Sequence, residues 1–212
     1  MIKLYGVRQS RAMRSLWALE EIGVPYENVP THFATDAKKP DYLAINPNGR
    51  IPALVDGDVT LFESMAINLY LAKKYDRQGL YPKSAADEAR AIQWSFWGMT
   101  EIESALLQVL LHRAFLPEAQ RDAALAKAGE EKLAQPLRVL DGALAGHKYL
   151  LGDAFTIADL NLASVLSWAL MIKLDLSKTP NVGRWLGECF ARPSFAKARG
   201  WRITQLLNTH EH

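Results

Sequence analysis

Asn46-Pro47-Asn48-Gly49-Arg50-Ile51-Pro52-Ala53-Leu54-Val55, followed by Phe62-Glu63-Ser64, decides the fold of this chain. Its first half reads as turn, then proline, then strand. Asn-Pro and Asn-Gly are strong turn formers. Pro52 has no N–H, so it suits the first residue of a strand and not its middle. The strand that follows is Ala53-Leu54-Val55. Asp56-Gly57 predicts a tight hairpin turn into Thr60-Leu61-Phe62. Glu63-Ser64 then stands where the second strand hands over to a helix. Such a point offers unpaired backbone N–H groups and a positive dipole end to an anion.

Working outward, Ile2 to Tyr5 reads as a strand closed by Gly6. Met13, Leu16, Trp17, Leu19 and Ile22 recur at helical spacing, and Gly23 stops them. Ser10 is a good N-cap for this helix, read as Arg11 to Ile22. Glu27 to Val29 reads as a weak strand, residues 30–40 as polar and turn-rich, and Asp41 to Ile45 as a short helix. Ser64 to Tyr75 is helical, with Ile67, Tyr70 and Leu71 on one face. Strand, helix, strand, helix, strand, strand, helix is a thioredoxin-like α/β layout with a mixed sheet over residues 1–76. Residues 77–87 read as a linker, with Gly79, Pro82 and Ser84. Residues 88–212 read as an all-α domain.

Within that domain Asp87 to Phe115 is expected to be one long helix. Its Trp94, Phe96, Trp97 and Met99 read mostly as core. Glu118 to Ala145 reads as one or two helices, kinked or split at Pro136. Gly152 closes a loop and Thr156 opens another helix. Thr156-Ile157-Ala158-Asp159 fits a capping box, with Phe155 and Leu160 as its apolar staple. Pro180 to Ala191 and Ser194 to Arg199 read as two further helices. The tail after them, with its His, Glu and Thr, reads as frayed.

The totals narrow the classes. At 212 residues, 49% hydrophobic and 23% charged, the chain suits one large or two small globular domains. A formal net charge of +2 argues for neither nucleic acid nor a membrane surface. No run of about 18 apolar residues predicts a transmembrane helix. The start Met1-Ile2-Lys3-Leu4-Tyr5 lacks a signal peptide's apolar region. One cysteine, Cys189, excludes an internal disulfide framework and reads as a buried, inert thiol. The expected compartment is therefore the cytoplasm. The histidines show no metal-ligand spacing, and Cys-x-x-Cys and Gly-rich phosphate loops are absent, so no metal, disulfide exchange or phosphate cradle is expected.

"NPNGRIPALVDGDVTLFES" resembles the glutathione-binding core of the glutathione transferases, with Ile51-Pro52 and Glu63-Ser64 as its most diagnostic parts. "LYGVRQSRAMRSLWALEEIG" resembles the first strand and helix of the serine-type members, the theta, phi and delta classes. The Thr156–Asp159 box resembles one in the core of the family's helical domain, so the likeness runs from Ile2 to about Arg199. It implies a cis Ile51–Pro52 bond. It also implies that the Ile51 backbone pairs with the cysteinyl part of glutathione by strand addition. Glu63 and Ser64 would hold its γ-glutamyl end. Arg50 stands where the family is often basic and reads equally as a glycine-carboxylate contact or an exposed loop arginine. The family often has His or Gln where this chain has Ala37, which leaves one carboxylate contact open between Lys38 and Lys39.

Ser10 is the candidate for the chemistry. On local pattern alone it is a helix cap. A thiolate placed there would also meet an O–H donor and a positive helix end. A hydrogen bond to a charged group contributes about 1.5–3 kcal/mol and the helix end about 0.3–1 kcal/mol. At ~1.4 kcal/mol per pKa unit, a thiol near ~8.5 falls by roughly one to three units before desolvation opposes it. That populates the nucleophilic thiolate at neutral pH. Tyr5 is the rival, because a tyrosine ending the first strand plays this part in other classes. Ser10 ranks first, since Tyr5-Gly6 also occurs in serine-type sequences, where that tyrosine is structural.

The resemblance implies a cytoplasmic, homodimeric enzyme of detoxifying type. It would join the thiol of glutathione, its co-substrate, to a small electrophilic and largely apolar partner. That partner would lie against the long helix, with one or two of its aromatics, His112 and Phe115 as candidate lining. Isomerase, dehalogenase or peroxidase chemistry on glutathione is the alternative, as is a non-catalytic scaffold of the same fold.

Overall fold

The structure is a computed structural model and describes residues 1–200. The expected frayed tail lies outside them. The described chain divides into two compact units, Met1–Tyr81 together with residues 191–200, and Pro82–Phe190.

The first unit is built on a four-stranded sheet. β1 (Ile2–Tyr5) leads to α1 (Ala12–Ile22) and β2 (Tyr26–Val29). A 3₁₀ turn (Asp36–Lys38) and α2 (Pro40–Leu43) follow, then β3 (Ala53–Asp56), β4 (Val59–Phe62) and α3 (Ser64–Tyr75). Strand order is β2-β1-β3-β4. β1 and β2 are parallel, and β3 is antiparallel to both its neighbours. This is the mixed sheet that the alternation of periods predicts. α1 buries every residue from Ala12 to Leu19 and packs against α3. Leu4, Leu16, Leu54, Ile67 and Leu71 are fully buried, and Tyr70 is half-buried.

Asp56 pairs with Val59, so the hairpin turn is Gly57-Asp58, one residue later than Asp56-Gly57. Gly57 takes φ +61 at the first central position, the place a type II′ turn reserves for glycine. Asp56 thereby stays in the strand, where its Oδ2 accepts from Tyr70, Lys74 and Tyr75 of α3 at 2.8, 2.8 and 2.6 Å.

The second unit is helical. α4 (Ala85–Trp97), a π-wound stretch (Gly98–Glu103), α5 (Ser104–Leu110) and a second π-wound stretch (Leu111–Phe115) run on without a break, as the expected long helix. α6 (Ala123–Ala143), α7 (Ile157–Leu166), α8 (Trp168–Ile172) and α9 (Pro180–Phe190) complete it. The aromatics of α4 are not its core. Phe96 is 67% exposed, and Trp94, Trp97 and Met99 are only half-buried. The buried stripe is Ala91, Ser95, Gly98 and Ile102. Small residues are needed there because α7 approaches closely: a Cβ on Gly98 would stand 2.8 Å from Leu162 Cδ1. Pro136 does not split α6, which is continuous across it and packs on α5. One missing N–H costs about 3 kcal/mol, which that packing offsets. α6 starts at Ala123 under an Asp122 cap, later than Glu118; residues Glu118–Gln120 form a separate 3₁₀ turn.

α7 is buried along its whole length and begins with the expected capping box. Asp159 accepts from Thr156 N (2.9 Å), Thr156 Oγ1 (3.1 Å), Leu150 N (2.8 Å) and Trp185 Nε1 (2.9 Å). Phe155 meets the Tyr149 ring edge-on at 5.6 Å. Cys189 is buried in α9.

The last described helix, α10 (Pro193–Arg199), follows the helical unit in sequence but belongs with the first unit. The sequence assigned it to the helical domain because nothing in its pattern names its partner. Its Phe195 ring meets Trp17 of α1 at 4.8 Å, and Ser194 accepts from Trp17 Nε1 at 3.0 Å.

Candidate active site

Sheet register brings the separated motifs together. Tyr5 ends β1, Ala53 begins β3 and Phe62 ends β4, and the three stand side by side in one row. The residues beyond that row are Gly6 to Ser10, Ile51-Pro52 and Glu63-Ser64. All three candidate segments therefore leave the same end of the sheet.

Ser10 precedes the first turn of α1, which begins at Ala12 and not at Arg11. Its Oγ accepts from Ala12 N at 3.1 Å and donates to Val7 O at 2.6 Å. The backbone donor polarises the hydroxyl, which strengthens it as a donor. Gly6 makes the tight approach possible. A Cβ there would stand 2.4 Å from Ala12 Cβ.

Tyr5 packs with Ala37, Tyr42, Ile51 and Ala53, its ring edge-on to Tyr42 at 6.0 Å. Ile51–Pro52 is cis, and both residues are buried. The N–H and C=O of Ile51 make no hydrogen bond among the described residues. The loop before them is pinned at Arg50 O, which accepts from Tyr42 Oη and Asn46 Nδ2, each at 2.6 Å. Burial pushes the Tyr42 phenol up to about 12, with Asn46 opposing and Tyr5 adding, so it stays a donor at neutral pH. In the sequence Asn46 reads only as a turn former and Tyr42 only as part of a short helix; nothing local marks either as a partner of Arg50 O.

Glu63 and Ser64 open α3. Glu63 has φ +72 and ψ 112, a region L-residues rarely adopt, and makes no side-chain cap bond. Ser64 is buried at 4% exposure and Glu63 is exposed. The first N–H groups of α3 thus lack a side-chain cap and face an anion with a positive dipole end. Arg50 is exposed, beside Lys38, whose Nζ donates to Gly49 O at 2.7 Å. Lys39 is turned to Asp36 at 2.6 Å. Among the described residues no group of three or more His, Cys, Asp or Glu is placed to hold a metal, and no helix is long and apolar enough to cross a membrane. In the helical unit, Phe115 is exposed, and His112 Nδ1 accepts from Asp122 N at 3.2 Å.

Residues 1–73 match the family model "Glutathione S-transferase, N-terminal domain", and residues 102–193 match "Glutathione S-transferase, C-terminal domain". The chain is 41% identical to Glutathione S-transferase 3 of Zea mays over 211 residues, 92% of each chain. Its fold is similar to glutathione transferase F2 from Populus trichocarpa (TM-score 0.86, 31% identity, covering 93% of this chain and 97% of that one). It is equally similar to a theta class glutathione S-transferase from Xanthomonas axonopodis pv. citri, solved with glutathione bound (TM-score 0.87, 30% identity, covering 95% and 98%).

Proposed function

The chain belongs to the glutathione S-transferase family, and on that premise we propose which residues perform the conjugation and how. The observation that carries the assignment is the register row Tyr5–Ala53–Phe62. Strands lie about 4.8 Å apart, so the loops leaving β1 and β4 are separated by roughly 10 Å. An extended tripeptide is about 10 Å long, at ~3.3–3.6 Å per residue. Glutathione laid across this end from the start of α3 over the cis Ile51–Pro52 segment is long enough for its cysteinyl sulfur to reach towards the start of α1.

Its γ-glutamyl carboxylate meets the open N-terminus of α3 and the Ser64 hydroxyl, while Glu63 accepts from its ammonium. The unpaired N–H and C=O of Ile51 bond its cysteinyl backbone as an added strand. Arg50 takes the glycine carboxylate, with Lys38 beside it. The sulfur then lies at Ser10. Ser10 has one proton and gives it at rest to Val7 O; on binding it turns to the sulfur. The thiol proton leaves to solvent. The sulfur lone pair forms the C–S bond to an apolar electrophile, and the leaving group departs with the electron pair of the broken bond. Holding both reactants together supplies much of the acceleration. Tyr5, packed under α2, is structural in this account.

Exposed Ile92 (36%) and Phe96 (67%), one turn apart on α4, support a homodimer that covers them. We take this pair as part of a two-fold contact in a cytoplasmic enzyme. The test is calorimetric titration with glutathione beside Glu63→Ala. Micromolar to low-millimolar binding that weakens about 10- to 100-fold in the variant supports the site. Wild-type protein that does not bind overturns it.

A further inference from the structure

We propose that Arg8 positions the Ser10 hydroxyl by tying the loop between β1 and α1 to the C-terminal end of α10. The inference rests on the role given to Ser10 above. Both carbonyls involved lie in the last turn of α10. Arg8 Nη1 donates to Lys197 O at 3.0 Å and to Ala198 O at 2.7 Å. Lys197 O also accepts from the capping Gly200 N at 2.9 Å, and the last carbonyls of a helix carry its negative dipole end, so a guanidinium is favoured there. Gly200 closes the helix at φ +75 and leaves room for the arginine stem. A Cβ on it would stand 3.3 Å from Arg8 Cδ.

The anchor is itself fixed. Glu21 of α1 takes a forked ion pair from Arg192 and a hydrogen bond from Ser194. Trp17 Nε1 donates to the same Ser194 at 3.0 Å. α10 is therefore bound to α1, the helix whose first turn follows Ser10. The other end of the loop is also held. Gly6 N donates to Val29 O at 3.1 Å, and Gly6 O accepts from Asn28 Nδ2 at 3.1 Å.

Between these fixed points lies the peptide that decides what Ser10 does. Val7 C=O, the resting acceptor of the Ser10 proton, belongs to the planar Val7–Arg8 peptide unit. That carbonyl competes with a thiolate for one hydroxyl proton. Anchoring Arg8 fixes the plane, and with it the direction from which the hydroxyl turns. Released from α10, the plane rotates and the hydroxyl loses its set geometry. Arg8 is exposed, so water partly screens its bonds and the effect is partial.

The measurement is the pH titration of bound glutathione, followed by the ultraviolet absorbance of its thiolate. Ser10→Ala raises the thiol pKa by roughly one to two units. Arg8→Ala is expected to raise it by about half to one unit. Arg8→Lys, which keeps the charge but loses the guanidinium's planar array of donors, falls between Arg8→Ala and wild type. In the Ser10→Ala background, Arg8→Ala adds nothing, because it acts through the hydroxyl. A merely structural arginine lowers the melting temperature and leaves the thiol pKa alone. The proposal is overturned if Arg8→Ala titrates like wild type while Ser10→Ala shifts, or if the two shifts add. Should Arg8→Ala not fold, Gly200→Ala and Arg8→Lys decide. Both raise the pKa if the anchor matters, and wild-type values in both overturn it. A wild type with no thiolate signal sinks the Ser10 reading and this proposal together, a result distinct from a silent Arg8.

Discussion

The helices α1, α3 and α7 each begin at a short polar segment, and the three beginnings differ. At α7 every nearby donor is used: Asp159 accepts from two backbone N–H groups, a hydroxyl and an indole, at zero exposure. At α1 one hydroxyl is saturated locally, accepting from Ala12 and donating to Val7. At α3 there is no side-chain cap, and the chain enters through a glutamate at φ +72. Buried closure gives stability. On the reading proposed above, the open start with a strained entry is the place for an anion, and the half-closed start at α1, whose donor can be redirected, is the place for the chemistry. Backbone strain of this kind costs of order 1–3 kcal/mol and persists where the surroundings hold it.

The largest effect expected tests the closed member. Asp159→Ala leaves Leu150 N, Thr156 N and Trp185 Nε1 without partners. At about 1–3 kcal/mol for each orphaned group, it should cost roughly 3–5 kcal/mol in urea unfolding. A loss below about 1 kcal/mol would mean that closure at α7 is not what holds the helical unit. Next comes the sheet end of α3. Burial alone would raise the Asp56 carboxyl, but bonds from Lys74, Tyr75 and Tyr70 outweigh it and hold it below the ordinary value. A depressed carboxyl stabilises the fold above its unfolded pKa, near ~3.9, and that stability is lost as pH falls through the folded value. Asp56→Asn should therefore cost about 1–2 kcal/mol at neutral pH, discounted because Lys74 is exposed. The difference from wild type should vanish in acid. A difference that persists there would assign the cost to packing.

The smallest effect separates strain from binding at Glu63. Glu63→Ala and Glu63→Gly both remove the carboxylate and should weaken glutathione to the same degree. Only glycine suits φ +72, so Glu63→Gly should be more stable than Glu63→Ala by about 1 kcal/mol. Equal stabilities would show that the entry to α3 carries no strain.

Most of this arrangement was legible in the residues. The Asn46–Val55 stretch, Gly6, Ser10 and the Glu63-Ser64 handover are local signals, and local signals survive into structure. Thr156 and Asp159 lie three apart, within one turn, and so read correctly as a box. What was not legible depends on distant partners. Trp94, Phe96 and Trp97 look like core because they are large; the true contact stripe is small because α7 comes close at Gly98. Tyr42 and Asn46 become important only when the loop folds back so that Arg50 O reaches them. Arg8 finds its acceptors 189 and 190 residues away, a separation that no periodicity or spacing carries. The same is true of α10, whose own pattern says helix and nothing about α1.

The account turns on the contrast between α3 as the binding end and α1 as the chemical end. The direct test is the pKa of the bound glutathione thiol in wild type, Ser10→Ala and Glu63→Ala, with each variant's affinity taken from the same titrations. The account predicts that Ser10→Ala raises the thiol pKa by roughly one to two units and changes affinity only a few-fold. It predicts that Glu63→Ala weakens binding at least about tenfold and leaves the pKa near wild type. An unchanged pKa in Ser10→Ala, or a pKa that moves with Glu63 instead, would contradict it.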